Sequence, residues 1–344
     1  MPYTSKIQEY TIDLDLQPED RWLEVIEEDS EQAENIAVEA IQAFKGVPRI
    51  AKAIFKEAYK WTGGLYMDEI ECWADAIGMP ANDWLLLQCS YEFGQLAETI
   101  GYKKPKWMPF GCTTGVKDVP GSGMTHFRTL DWELLECGNA TRLFNFVKGN
   151  HEFTVVGITG LVGALSGMVP GQYSVTINYA PALKLTGFGF GPLFLLREVL
   201  ETCKTYRSAV TKLKNTALSS NVFFTVCGTK QNEACIIERT RDDCYVRKFK
   251  PDGLVQGNHF HSSYFEEQNA PFEQENEDGE CVLYGSEERE EGMAKKLKSL
   301  KKISSLTQAR TVVNTAPVKN DDTYQQMIFC PKKGELKVWR YLTD

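Results

Sequence analysis

The sequence predicts an α+β fold in which two β-sheets carry covering helices. Three observations lead there. Residues 18–99 place apolar side chains at helical spacing. Residues 112–179 break into short, glycine-punctuated pieces that read as strands. Two helical segments follow, and strand patterns then return.

The elements follow in order. Residues 10–16 alternate and are β-branched, so the chain starts extended. Pro18-Glu19-Asp20 opens a helix, because proline is tolerated in a first turn and acids suit its positive end. From Arg21 to about Phe44, apolar residues such as Trp22, Val25, Ile26, Ile36 and Ala37 recur at helical spacing. A second helix is expected over residues 48–61 and a third over 66–76, with Gly63-Gly64 between them. Asn82-Asp83 predicts the cap of a fourth, running to about Thr99. Residues 103–112 form a proline-rich, exposed connector. Strands are expected at 112–116, 125–131, 142–146, 153–158, 163–168 and 173–179. Helices follow at 191–202 and 206–214, then strands at 222–228, 233–238, 244–249 and 253–256. A polar, acidic loop covers 262–280 and a charged helix covers 286–300. The chain closes on strands at 325–330 and 335–341.

Composition narrows the function. At 344 residues the chain buries a full core without disulfides or metals. With 42% hydrophobic and 25% charged residues, disorder and fibrous repeats are excluded as the main architecture. The net charge is −9, and the dense basic run at 295–302 directly follows the acidic run at 287–291. Pairs four residues apart on a solvated helix account for both runs, so no nucleic acid is expected as a partner. Residues 153–183 carry no formal charge, but their glycines and Pro170 break them into buried strands. No integral membrane segment is therefore expected. The N-terminus has no apolar core of a signal peptide, and none of the ten cysteines forms a C-x-x-C pair. Free thiols and a cytoplasmic location are expected.

Chemistry concentrates around Gly111-Cys112-Thr113-Thr114. Arg128 and Asp131 lie 16 and 19 residues further on, beyond a turn at Pro120-Gly121-Ser122-Gly123. A hairpin of that length returns both residues beside Cys112. Positions 128 and 131 differ by three, however, so on a regular strand they face opposite sides. Taken singly, Arg128 and Asp131 fit a surface ion pair, Asn178 a strand end and Asn258 a turn. His259 and His261 alternate as metal ligands do, but among four histidines no cysteine or carboxylate spacing completes a site. No metal and no cofactor are expected.

Taken together, these residues resemble the cysteine N-terminal-nucleophile (Ntn) hydrolases. The resemblance is to the acid ceramidase and N-acylethanolamine acid amidase branch of the choloylglycine hydrolase superfamily. It rests on Tyr10 to Trp22, on Cys112-Thr113 followed by Arg128-Thr-Leu-Asp131-Trp132, on Gly160 to Asn178, on Gln256-Gly-Asn258-His-Phe and on Arg289. It implies a four-layered αββα fold with an N-terminal helical α-subunit segment over residues 1–111. The catalytic β-subunit would span 112–344. The peptide bond before Cys112 would be cut by the chain itself, leaving Cys112 as nucleophile and its α-amine as base. Asp131 would hold that amine and Arg128 would favour the thiolate. Asn178 and Asn258 would donate to the oxyanion or orient the substrate amide, and Arg289 would anchor the network.

The expected reaction is hydrolysis of a lipid-like N-acyl amide through a thioester on Cys112. Trp107, Met108, Phe110, Phe188 and Phe190 are candidates for lining an acyl-chain pocket. One alternative is acyl transfer by the same nucleophile, as in penicillin acyltransferases. Another is a catalytically silent lipid-binding protein.

Overall fold

A computed structural model describes residues 3–44, 64–99, 111–132, 136–183, 189–275, 281–283 and 285–342. The chain opens with strands β1 (Tyr3–Thr4) and β2 (Glu9–Asp13). Helices α1 (Leu23–Phe44), α2 (Met67–Ala76), α3 (Ala81–Gln88) and α4 (Ser90–Thr99) come next. The hairpin β3 (Gly111–Val119) and β4 (Gly123–Asp131) leads through the short α5 (Glu136–Asn139) to β5 (Thr141–Lys148) and β6 (His151–Ile158). Then come β7 (Ser166–Val169), β8 (Tyr173–Tyr179), α6 (Pro192–Thr202) and α7 (Tyr206–Asn215). Strands β9 (Val222–Cys227), β10 (Ala234–Arg239), β11 (Cys244–Lys248) and β12 (Leu254–Gln256) precede a small ribbon of β13 (Glu273–Glu275) and β14 (Cys281–Leu283). The chain finishes with α8 (Ser286–Ser299), β15 (Thr323–Cys330) and β16 (Glu335–Tyr341).

Two sheets form the centre. One has six strands in the order β1-β16-β15-β4-β3-β12, and the other eight in the order β11-β10-β9-β8-β7-β6-β5-β2. Strands β3 and β4 of the first lie against β8 and β9 of the second. Helix α8 covers the outer face of the six-stranded sheet, packing Met293 and Leu297 with Phe127, Ile328 and Trp339. Helices α6 and α7 cover the eight-stranded sheet. The layers are therefore αββα. Residues ahead of Cys112 also enter both sheets. β1 pairs with β16, and β2 lies parallel to β5.

Local sequence explains these elements. Strand β8 is buried at every residue, which its charge-free sequence permits, and it sits inside the larger sheet. The β3–β4 turn needs glycine at 121, where φ is 86° and an added Cβ would stand 2.5 Å from the Ile303 carbonyl oxygen. Helix α7 starts on a capping box, with the Thr205 hydroxyl accepting from the Ser208 N–H at 3.1 Å.

Three expectations change. The fourth helix is two, because Cys89 leaves helical geometry between α3 and α4. Its start is Ala81, with Pro80 at the cap position, so the expected pair Asn82-Asp83 falls inside the first turn. The loop at 262–280 contains a 3₁₀ turn at Glu266–Phe272, anchored by Asn269 bonding the Phe260 N–H and C=O at 2.8 and 3.0 Å. Residues 48–61 and 103–110 lie outside the described residues. Among the described residues, no helix is long and apolar enough to cross a membrane.

The N-terminal helices are fastened by a buried charge. Glu69 on α2 is fully buried and accepts from Trp22 Nε1 at 2.6 Å, from Arg21 at 2.8 Å and from Arg197 of α6 at 2.6 and 2.9 Å. Burial pushes its carboxyl up, but Arg197 and these hydrogen bonds hold it below the ordinary value. Trp22 also packs edge-on against Phe144 of β5, with ring centroids 5.1 Å apart.

Candidate active site

Cys112 is the second residue of β3 and is 1% exposed. The antiparallel register pairs it with Leu130, pairs Thr114 with Arg128, and pairs Gly111 with Asp131. Arg128 and Asp131 do face opposite sides of the sheet, as their spacing requires. Arg128 points between the sheets. It donates to the Cys112 Sγ at 3.5 Å and to Asn178 Oδ1 on β8 at 2.5 Å. Asp131 points toward α8 and the chain's end. Its Oδ1 accepts from the Thr323 hydroxyl at 2.6 Å and its Oδ2 from Asn320 Nδ2 at 3.1 Å. Strand β4 pairs with β3 in unbroken register, and the register shift near Asp131 lies in β15, between Thr323 and Gln325. Gly111 makes room for this carboxylate, since an added Cβ would come within 2.9 Å of Asp131 Cβ.

The two asparagines sit differently from the expectation. Asn178 Nδ2 donates to the carbonyls of Gln256 at 3.0 Å, Gly257 at 2.9 Å and Cys112 at 3.3 Å. Asn258 Nδ2 donates to the Tyr179 carbonyl at 2.9 Å. Both amide NH₂ groups are therefore engaged with backbone in this state. The informative atom is Asn258 Oδ1. It accepts the Cys112 N–H at 2.9 Å and Arg289 Nη2 at 2.7 Å. Arg289 also reaches the Thr113 hydroxyl at 3.3 Å and stands 3.9 Å from Asp131. The structure thus brings Cys112, Arg128, Asp131, Asn178, Asn258 and Arg289 into one network.

The electrostatics are opposed. Burial pushes the Cys112 thiol above its ordinary value, Arg128 and Arg289 draw it back, and Asp131 works against them. Burial also pushes the Asp131 carboxyl up, against Arg289 and its two hydrogen bonds. His126, two residues before Arg128, is held down to about 3 by burial and by Arg128. It therefore stays neutral, bonded to Thr114 and Ser174 at 2.9 Å each.

Beside the thiol lies a small cavity with room for about one water molecule. Tyr91, Leu130, Trp132, Leu161, Leu193 and Tyr324 are among its lining residues. Phe190, expected at an acyl pocket, is not among the residues lining this cavity; its backbone bridges to Leu218. Trp107, Met108, Phe110 and Phe188 lie outside the described residues. Sequence reasoning missed Tyr91, whose hydroxyl lies against the Cys112 thiol and Arg128. A tyrosine on an apolar helix carries no signal of such a role. Thr323 and Asn320 were also missed, because their contacts to Asp131 span 192 and 189 residues of the chain.

Residues 128–318 match the family described as acyl-coenzyme A:6-aminopenicillanic acid acyl-transferase. The chain belongs to that family. Curated relatives that it matches include acid ceramidases and N-acylethanolamine-hydrolyzing acid amidases, the branch that the sequence resembles. It is 26% identical to a Caenorhabditis elegans N-acylethanolamine-hydrolyzing acid amidase over 69% of this chain and 68% of the relative. It is 23% identical to the acid ceramidase of Balaenoptera acutorostrata scammoni over 70% of this chain and 65% of that protein. The match thus spans about two thirds of each relative's own length. The solved structure of the Caenorhabditis elegans amidase ortholog superposes with a TM-score of 0.54. That superposition covers 66% of this chain and 99% of the solved chain at 24% identity, and it supports the shared Ntn-hydrolase fold.

One acid of this acyl-transferase family member adjoins the cavity wall. Glu92 follows Tyr91 on α4, is buried, and bonds Ser219 at 3.0 Å. Burial raises its carboxyl from 4.5 to about 7. Its stabilising contribution is complete below about 4.5 and is lost as the pH rises through about 7. The expected result is that Glu92→Gln and wild type unfold alike near pH 4. Above pH 7 the variant gains about 3 kcal/mol. Equal denaturant midpoints at pH 8 would overturn this account of Glu92.

Proposed function

We propose that this protein is a self-processing cysteine amidase that hydrolyses lipid-like N-acyl amides. The observation that carries the reading is the pair of grips on Cys112. Arg128 holds its thiol, and Asn258 Oδ1, pinned by Arg289, holds its backbone N–H.

That nitrogen belongs to the Gly111–Cys112 peptide bond, so the first reaction acts on the chain itself. The Cys112 sulfur attacks the Gly111 carbonyl carbon. The C–N bond breaks, the nitrogen takes a proton, and residues 1–111 are left as a thioester on Cys112. Water then hydrolyses the thioester, freeing the Gly111 carboxylate and the thiol. The new α-amine stays on Asn258 Oδ1, with Asp131 to balance its charge when it takes the thiol proton in each later turnover.

In the amidase reaction the thiolate attacks the substrate carbonyl and the protonated amine delivers its proton to the leaving amine. Water then resolves the acyl-enzyme. The cavity's mostly apolar lining is of the kind an acyl chain needs, and the cavity, sized for about one water, would have to widen to admit one. The Asn178 and Asn258 amides would donate to the oxyanion by exchanging their present acceptors, the carbonyls of Cys112, Gln256, Gly257 and Tyr179, for the substrate.

The test uses purified, cleaved protein with N-acylethanolamines and ceramides of graded chain length, reading fatty acid release. Release by wild type and none by Cys112→Ala is expected. Diversion of the acyl group onto added amine acceptors, at the expense of free acid, would favour transfer instead. Cleaved protein that binds these lipids without turning any over would leave the binding-protein reading in place.

A further inference from the structure

We propose that His259, His261 and Glu290 form a zinc-class divalent cation site at the back of the network. The two histidines alternate directly after Asn258, and Glu290 follows Arg289 on α8. The carboxylate missing from the local sequence pattern is supplied by a helix about thirty residues away. One ligand atom from each residue lies within 4.8 Å of the other two. His261 Nε2 is 2.9 Å from Glu290 Oε2, and His259 Nδ1 is 3.7 Å from Glu290 Oε1. Ligands about 2.0–2.1 Å from a tetrahedral zinc ion stand roughly 3.3 Å from one another. From the single oxygen Glu290 Oε1 the two nitrogens stand 3.1 and 3.7 Å away, on either side of that value.

The donor set is two imidazoles and one carboxylate, with a fourth position for solvent, a combination that suits zinc and its neighbours better than calcium or magnesium. The side chain of His261 is 31% exposed, which gives an ion access. The site also has supporting contacts. Glu290 Oε1 accepts the Gly257 N–H and Ser286 Oγ accepts the Asn258 N–H at 2.7 Å, while the 2.8 Å bond between Ser286 Oγ and His259 Nδ1 gives way when that nitrogen turns its lone pair to the ion. On binding, the proton shared between His261 Nε2 and Glu290 moves to the other imidazole nitrogen or to solvent. The ion takes the freed lone pairs. It would fasten the 257–261 segment, which carries Asn258, to the helix that carries Arg289. This inference does not rest on the amidase reading.

The experiment titrates the full chain, first stripped with chelator, with Zn²⁺ by calorimetry and with Co²⁺ by absorption spectroscopy. One ion per chain is expected, with a higher melting temperature when bound. His261→Asn, which keeps an amide to donate to Glu290, should weaken binding at least tenfold, and Glu290→Gln should do the same. The melting temperatures of the metal-free variants and wild type serve as the folding control. No saturable binding overturns the proposal. So does unchanged affinity in His261→Asn, or a thiolate-to-cobalt charge-transfer band, which would assign the ion to a cysteine.

Discussion

Wild-type protein, incubated after purification, should resolve by intact mass into chains 1–111 and 112–344, while Cys112→Ala stays at 38.9 kDa. The expected effect is all or none, because alanine at 112 has no side-chain atom to take the acyl group of Gly111. The geometry prepares the step. The scissile nitrogen is held by Asn258 Oδ1 at 2.9 Å, and Arg128 stands 3.5 Å from the attacking sulfur. Cys112→Ser should separate nucleophilicity from size, cutting far more slowly because an unaided hydroxyl is the weaker nucleophile. A wild-type chain that stays whole from pH 4 to pH 9 would remove the α-amine from the mechanism, and the amidase reading with it.

Arg128→Ala should lower amide turnover about a thousandfold. Two unit charges about 4 Å apart interact by about 4 kcal/mol at the effective dielectric of a protein site, and that is about three powers of ten in rate. Burial already pushes the Cys112 thiol up, so losing the nearest cation leaves that push unopposed on this face. The pH profile of Cys112 alkylation should therefore move to higher pH. Arg128→Lys should recover only part of the rate. An ammonium keeps the charge but cannot fork between Sγ and Asn178 Oδ1 as the guanidinium does. Where the alanine variant also blocks chain cleavage, the cleavage rate is the readout. Wild-type turnover and an unmoved alkylation profile would show that Arg128 is merely a strand-pairing residue.

Much of this was legible from local pattern. Strand β8 and the starts of α6 and α7 follow from composition, proline and capping signals within a few residues. The β3–β4 hairpin follows from its turn, and with it the return of Arg128 toward Cys112. The period-two rule was also right to set Arg128 and Asp131 on opposite faces. What it could not show is that a site needs both faces, because Cys112 uses its side chain on one and its backbone nitrogen between them. The break at Cys89 carried no glycine or proline signal. The grips on Asp131 and on the histidines come from Asn320, Thr323 and Glu290, whose positions depend on the packing of β15 and α8. No spacing rule reaches across that distance.

The first residues of the chain contribute a strand to each sheet, β1 beside β16 and β2 beside β5. On the reading proposed here, that placement makes maturation a one-way event for folding. Before the cut, the two segments find each other within one chain, at the high effective concentration that covalent linkage provides. Afterwards the same interface must form between separate molecules, and recovery from denaturation becomes dependent on protein concentration. The mature protein would then persist through a slow rate of opening more than through a reversible equilibrium. Its working lifetime is set when it is made, by how well an uncut precursor folded.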